Sequence, residues 1–302
     1  MKNQINRGAF LKTIGFAMAG GIIAAGCNKD DDDDEYNNGL KFGQVEFKAT
    51  PGNDDVISFM AATKKITIDW GDGTVDEYMP NGIEKIFFHE YLSQNLQTVS
   101  IVTESMTYFS CSHNIGLNFR CVFRELRFGK CTELKRIICS AHELTVLDIK
   151  NVVISLETLL CWDNQLTTLD VSGASKLTDL ECHKNRLSKL DLNGCTNLWT
   201  LVCSYNQLTE LNLNNCTVLR NVGCFGNQLT QLNLSGCTEL LIVSCSKNQL
   251  STSVLNAIFK NLPDRTQSDY IGKLAFSENP GEDSCDRSIY ESKNWMYDTN
   301  LQ

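Results

Sequence analysis

The chain has 302 residues, a formal net charge of −9 and 14 cysteines. Its length allows one or two domains with a buried core, and its acidity argues against nucleic acid, which needs clustered Lys and Arg. So many thiols at a fixed period in so long a chain are ladder positions, not a small disulfide scaffold.

Lys2, Arg7 and Lys12 precede an apolar stretch from Ile14 to Ala25 that ends in Ala24-Ala25-Gly26-Cys27. The stretch is too short and too rich in Gly and Ala for a permanent membrane span. The small residues before the cysteine resemble the lipobox of bacterial lipoproteins. That resemblance implies a signal peptide over residues 1–27 and a lipid anchor on Cys27. Arg7 to Lys12 resembles a twin-arginine motif with glycine in place of the second arginine, so Sec export is the default. Residues 28–39 carry Asp30 to Asp34 and Glu35; like charges repel and stay solvated, as in a tether. Lys29-Asp30-Asp31 after the cysteine also resembles the signal that sends some lipoproteins to the outer leaflet of the outer membrane. The expected location is the outer membrane, lipid-anchored and exposed at the cell surface.

Residues 40–104 read as short strands. Val45 to Ala49 alternates, Val56 to Met60 and Ile66 to Trp70 follow, and Thr98 to Val102 closes the segment. Gly71-Asp72-Gly73-Thr74 is a tight turn, with Asp69 and Asp72 as turn-forming side chains. Too few oxygens gather here for a hard cation. Trp70-Gly71-Asp72-Gly73-Thr74, then His89-Glu90-Tyr91, then a Thr-Val strand resembles a PKD-type β-sandwich, which implies an extracellular spacer or adhesion module.

From residue 105 to 252 the chain repeats every 21 residues. Cys161, Cys182, Cys203, Cys224 and Cys245 share the spacing; Asn164, Asn185, Asn206, Asn227 and Asn248 follow by three. Rungs start at Leu156, Leu177, Leu198, Leu219 and Leu240, after a 22-residue rung at Leu134. An imperfect rung starts at Met106, with Phe109, Cys111 and Asn114 in place and an insertion of seven residues after it. A leucine period of about 20–29 residues means a leucine-rich-repeat solenoid of short parallel strands. Leucines stack into the core, the asparagine amides bond along the stack, and the cysteines act as small buried hydrophobes. Cys131, Cys195, Cys216 and Cys237 form a second column, with Ala174 in one rung, so burial rather than thiol chemistry is wanted. Zinc spacings do not occur within a rung, and parallel neighbouring thiols do not suit disulfides. This repeat resembles the internalin-type repeats of bacterial surface proteins, closest to the 21-residue subgroup with a cysteine ladder. The helical cap and wall anchor of that family have no counterpart here, so its host receptors do not carry over.

Residues 253–302 read as an α/β cap. Ser251 or Ser253 starts a helix carrying Val254, Leu255, Ile258, Phe259 and Leu262, which Pro263 ends. Lys273 to Phe276 is a strand, Asn279-Pro280-Gly281 a turn, and Ser284 to Trp295 a helix. The whole is mainly β: sandwich, solenoid, cap.

Residues interleaved with the buried leucines point outward on the concave face and vary from rung to rung. Candidate ligand contacts are Trp162, His183, Tyr205 and Phe225, with Asp179, Glu181 and Val202 beside them. Exposed aromatics are typical binding anchors; the competing expectation is that some pack on neighbours. The column Asp148, Asp170, Asp191, Asn212 and Asn233 reads as a solvated or turn-stabilising face. No G-x-S-x-G motif, phosphate loop or metal spacing occurs, so no catalytic residue, cofactor or metal is assigned. The expected role is cell-surface adhesion to an extracellular protein or glycan. A subunit of an outer-membrane complex is the alternative, and a glycan or peptide hydrolase a weaker one.

Overall fold

In a computed structural model of the protein, residues 40, 43–51, 55–103, 105–112 and 121–301 are described. The signal segment, Cys27, the acidic run and Asn114 lie outside them. Among the described residues no helix is long and apolar enough to cross a membrane.

The first strand, β1 (Gln44–Thr50), alternates in burial, with Val45, Phe47 and Ala49 inward. It joins β3 (Ile66–Asp69), β4 (Val75–Tyr78), β6 (Gln97–Thr103), β8 (Val122–Phe128) and β10 (Val146–Asp148) in a six-stranded sheet. The second sheet begins with β5 (Glu84–Glu90), β2 (Val56–Thr63) and β7 (Met106–Ser110). Aromatic rings fill the space between the sheets: Phe47 and Phe123 are 4.7 Å apart, Phe59 and Phe109 5.6 Å.

Both sheets run on into the repeats. β7 pairs antiparallel with β2 on one side and parallel with β9 (Arg136–Ile138) on the other. β8, which follows the first rung, pairs antiparallel with β1 and parallel with β10. The insertion expected after Asn114 lies almost wholly outside the described residues; β8 follows it and carries Phe123, Leu126 and Phe128 in the buried columns that Leu144, Leu147 and Ile149 hold one rung on. Beyond β10, isolated parallel bridges at Asp170–Asp191 and Asn212–Asn233 mark the same side of the solenoid. One apolar cluster extends from Val45 to Trp295 without a break.

The rungs present β11 (Thr158–Leu160), β12 (Asp179–Glu181), β13 (Thr200–Val202), β14 (Asn221–Gly223) and β15 (Ile242–Ser244). Leu159, Leu180, Leu201, Val222 and Val243 are direct neighbours, at the 21-residue offset expected. The cysteines of both columns are buried and free. The asparagine ladder forms: Asn164 Nδ2 donates to the Cys139 and Cys161 carbonyls at 2.8 and 3.0 Å, and its Oδ1 accepts the Leu144 N–H. His142 takes the asparagine place one rung earlier, with Nε2 2.6 Å from the Cys111 carbonyl.

After the repeats, α1 (Thr252–Asn261) starts at Ser251, whose hydroxyl accepts the Val254 N–H at 3.4 Å, and stops before Pro263, as the sequence predicts. It buries Leu255, Ile258 and Phe259. β16 (Gly272–Ala275) then pairs parallel with β15. Asn279, expected only as part of a turn, joins the ladder: it donates to the Cys245 and Phe276 carbonyls and accepts the Leu250 N–H at 3.0 Å. A further rung therefore follows the helix, with Leu274, Phe276 and Asn279 in the leucine, cysteine and asparagine columns.

The helix predicted over 284–295 is a correction. Only α2 (Ser288–Glu291) is α-helical there, after a 3₁₀ turn at Glu282–Ser284. Residues Trp295–Tyr297 form β17, parallel to β16. The indole of Trp295 decides this: it lies over Gly272, where a Cβ would come within 2.3 Å of the ring, and donates to the Pro263 carbonyl at 2.8 Å.

Candidate ligand-binding face

The exposed side of the parallel sheet is built by alternation. Leu180 and Cys182 point inward, so Asp179, Glu181 and His183 point out. Asp179, Glu181 and Val202 are half-buried in the outward columns, next to Thr200 and Leu160. Asp179 accepts the Thr178 hydroxyl at 2.7 Å. The Glu181 carboxylate has no hydrogen bond or ion pair among the described residues. Burial, with Asp179 adding repulsion, raises its pKa above the usual range.

The four expected aromatic contacts form two pairs. Trp162 and His183, one rung apart, stack with centroids 5.4 Å apart and planes at 8°. Burial and then Lys184 lower the His183 pKa, Asp163 partly opposing, so the imidazole is neutral at pH 7. Tyr205 and Phe225 meet edge to face at 4.9 Å.

Phe225 departs from the expectation of an exposed ring, being only 4% exposed. Its column neighbours are Ser204 and Ser246, too short to hold the ring upright. Gly226 leaves room for Tyr205 above it, since a Cβ at Gly226 would lie 3.1 Å from the Tyr205 ring. Tyr205, 46% exposed, is the accessible member of this pair.

The column Asp163, Lys184, Tyr205, Gly226 and Lys247 is not strand at all. All five residues have positive φ, between 54° and 66°, and Ala141 and Glu278 continue the series at 61° and 56°. These residues turn each rung off the sheet. For non-glycine residues the left-handed conformation costs roughly 1–2 kcal/mol each, which the asparagine that follows (His142 after Ala141) offsets by bonding nearby carbonyls.

Sequence reasoning missed Trp199. It stands one residue before β13, outside the alternating columns, and is 48% exposed. The Arg220 guanidinium lies 4.7 Å from its ring centre. The available signal was an indole in a column otherwise held by Lys135, Glu157, Thr178, Arg220 and Leu241.

At the far end of the face the Ser244 hydroxyl donates to the Leu301 carbonyl, so the C-terminal segment covers that rung. On the opposite side, Asp148, Asp170, Asp191, Asn212 and Asn233 each accept the N–H two residues on, at 2.9 to 3.3 Å. They are turn-stabilising residues.

In the first sheet Asp69 accepts the Gly71 N–H and Asp72 the Thr74 N–H, both at 3.0 Å. The second Asp72 oxygen pairs with His89 Nε2 at 2.7 Å. His89 stacks on Trp70, whose carbonyl accepts the Tyr91 hydroxyl at 2.8 Å. Burial opposes ionisation of Asp72, but the bonds from Thr74 and His89 outweigh it and bring its pKa to about 2.

The chain matches no protein-family model and no curated protein. Among solved structures it is similar to an internalin, InlF, from Listeria monocytogenes, at 18% identity over 61% of this chain and 59% of that one, TM-score 0.45. It is similar to the functional domain of InlJ from the same organism, which includes a cysteine ladder, at 24% identity over 64% and 49%, TM-score 0.30. A leucine-rich-repeat protein from Leptospira interrogans gives 19% identity over 55% of each chain, TM-score 0.39. The chain spans 49% to 59% of the lengths of these structures. The mainly β leucine-rich-repeat solenoid stands on the rung geometry of the chain itself.

Proposed function

We propose that this protein is a surface-displayed recognition lipoprotein that binds another macromolecule through the exposed face of its parallel sheet. In this reading Cys27 carries the lipid, residues 28–39 are the tether, and the PKD-like sandwich is a spacer that also closes the first rung. The lipid holds the protein in the outer membrane, facing outward. Adhesion to an extracellular protein or glycan is non-covalent, by aromatic anchors on a stiff scaffold.

The observation that carries the reading is the contrast between columns. Inside, leucine, cysteine and asparagine recur with few substitutions. Outside, the same strands offer Thr158, Asp179, Thr200 and Asn221 in one column and Trp162, His183, Ser204 and Phe225 in another. A scaffold preorganised by side-chain ladders loses little entropy on binding, so a varied face on it is suited to recognition.

The test is binding of the purified protein to a panel of extracellular-matrix proteins and a glycan array. A Trp162→Ala, Tyr205→Ala double variant runs beside it. A ligand whose affinity falls at least tenfold in the double variant supports the reading. Ligands held equally well by both proteins would move the site off this face.

A further inference from the structure

Two indoles lie at opposite borders of the strand face, and the carboxylates of one rung lie between them. Trp199 stands immediately before β13, its ring exposed and backed by Arg220 at 4.7 Å. Trp162 stands two residues past β11, stacked on His183 at 5.4 Å. On β12, between those two strands, Asp179 and Glu181 project to the same side. The four positions follow an oblique line across three rungs. With about 3.3 Å per residue along a strand and about 4.8 Å between strands, its length is on the order of 20 Å.

The chemistry of this line restricts its occupant. Glu181 has no partner among the described residues, and Asp179 has only the Thr178 hydroxyl. A ligand that displaces water here must bring hydrogen-bond donors, or the carboxylates are left desolvated and unsatisfied. Arg220 borders the line but already lies 3.9 Å from Glu239, so the Asp179 and Glu181 carboxylates argue against an anionic partner. A protein anchor needs a pocket to fill, and the small dent beside Gly43 and Thr103 involves none of these residues. A sugar chain meets both requirements. Its hydroxyls donate to carboxylates, and its C–H faces lie flat on indoles, whose negative π faces attract positively polarised groups.

We propose that this oblique line is a binding site for a neutral oligosaccharide, with Trp199 and Trp162 as stacking platforms and Asp179 and Glu181 as hydroxyl acceptors. The assignment rests on the recognition reading above and narrows it to a glycan.

The test is calorimetric titration of the purified protein with neutral hexasaccharides of glucose, mannose, xylose and N-acetylglucosamine. At least one is expected to bind and to change tryptophan fluorescence. Trp199→Ala and Trp162→Ala should each weaken it tenfold or more, Glu181→Gln several-fold, and Trp199→Phe less than Trp199→Ala. Thermal melting of each variant separates lost binding from lost folding, and Trp199→Phe keeps the test valid if the alanine variant is unstable. A saccharide bound equally well by Trp199→Ala and Glu181→Gln overturns this site. If no hexasaccharide binds while a matrix protein does, and Trp162→Ala, Tyr205→Ala abolishes that, the glycan assignment falls and face recognition stands. If no ligand of either class responds to substitutions on the face, both fall.

Discussion

The side-chain oxygen of Asn185 accepts the backbone N–H of Leu166 at 3.0 Å, one rung earlier in the solenoid. Its amide nitrogen donates to the Cys161 and Cys182 carbonyls at 3.0 and 3.1 Å. One buried side chain thus closes its own turn and ties it to the rung before. Asn206, Asn227, Asn248 and Asn279 make the same set of bonds.

Replacing Asn185 by Ala leaves the Leu166 N–H buried without a partner, while the Cys161 and Cys182 carbonyls keep their bonds from Asn164 and Asn206. At about 1–3 kcal/mol for such a group, the variant should lose roughly 2 kcal/mol. Urea unfolding followed by circular dichroism measures this; a loss below about 1 kcal/mol would mean the ladder contributes little.

The buried thiols set an alkaline limit on stability. Burial pushes Cys216 and Cys237 up to about 11 and Cys131, Cys195 and Cys224 to about 12, and raises Cys161, Cys182 and Cys203 well above the ordinary thiol value. The folded state holds these protons more tightly than the unfolded chain does. Stability is therefore full below the unfolded thiol pKa and falls as pH rises past about 9, by up to about 1.4 kcal/mol per pH unit for each thiol. The urea midpoint should drop steeply between pH 8.5 and 10. An unchanged midpoint across that interval would contradict thiol burial.

The same burial predicts selective labelling. Among the described cysteines only Cys285 is partly exposed. A thiol reagent at pH 8 should modify Cys285 first and the ladder cysteines only after urea unfolding, as peptide mapping by mass spectrometry would reveal.

At the other end of the pH scale, Asp72 has its pKa depressed to about 2. Its contribution is present above the unfolded carboxylate pKa of about 3.9 and is lost as pH falls toward 2. Asp72→Asn should be less stable than the parent at pH 7, and the difference should close by about pH 2. Melting temperatures of both proteins from pH 2 to 7 would test the pairing with His89.

Gly226 is the sole glycine in a column of left-handed residues. A Cβ there meets the Tyr205 ring at 3.1 Å, on top of the left-handed penalty of roughly 1–2 kcal/mol. Gly226→Ala should destabilise by about 1–2 kcal/mol, and tyrosine fluorescence should report movement of Tyr205. Gly226→Asn, which tolerates this backbone region better, should cost less.

Much of the solenoid was legible because each rung repeats one local chemistry. Leu180, Cys182, Asn185 and Leu187 recur at fixed offsets, and such a pattern buries its apolar face only when rungs stack. The helix from Thr252 was equally readable, with a serine cap before it and a proline after it. The face was legible in part. Alternation placed Asp179, Glu181 and His183 outward, but it could not foresee that Tyr205 would cover Phe225. Nor did it single out Trp199, which lies just outside the alternating run.

The sequence by itself determined the period, the buried columns and the direction of every strand residue within a rung, because these depend on contacts between identical neighbours. Tertiary structure alone decided what interrupts the period. β8 returns to pair with β1, about 75 residues earlier in the chain, and nothing local in Val122–Phe128 names that partner. Asn279 resumes the ladder after a 31-residue gap from Asn248, because its place is set by parallel pairing of β16 with β15 and not by spacing. Trp295 extends into a strand because its indole fits over Gly272. Side-chain burial on a surface depends on the volume of neighbours from other rungs, which a one-dimensional pattern does not carry.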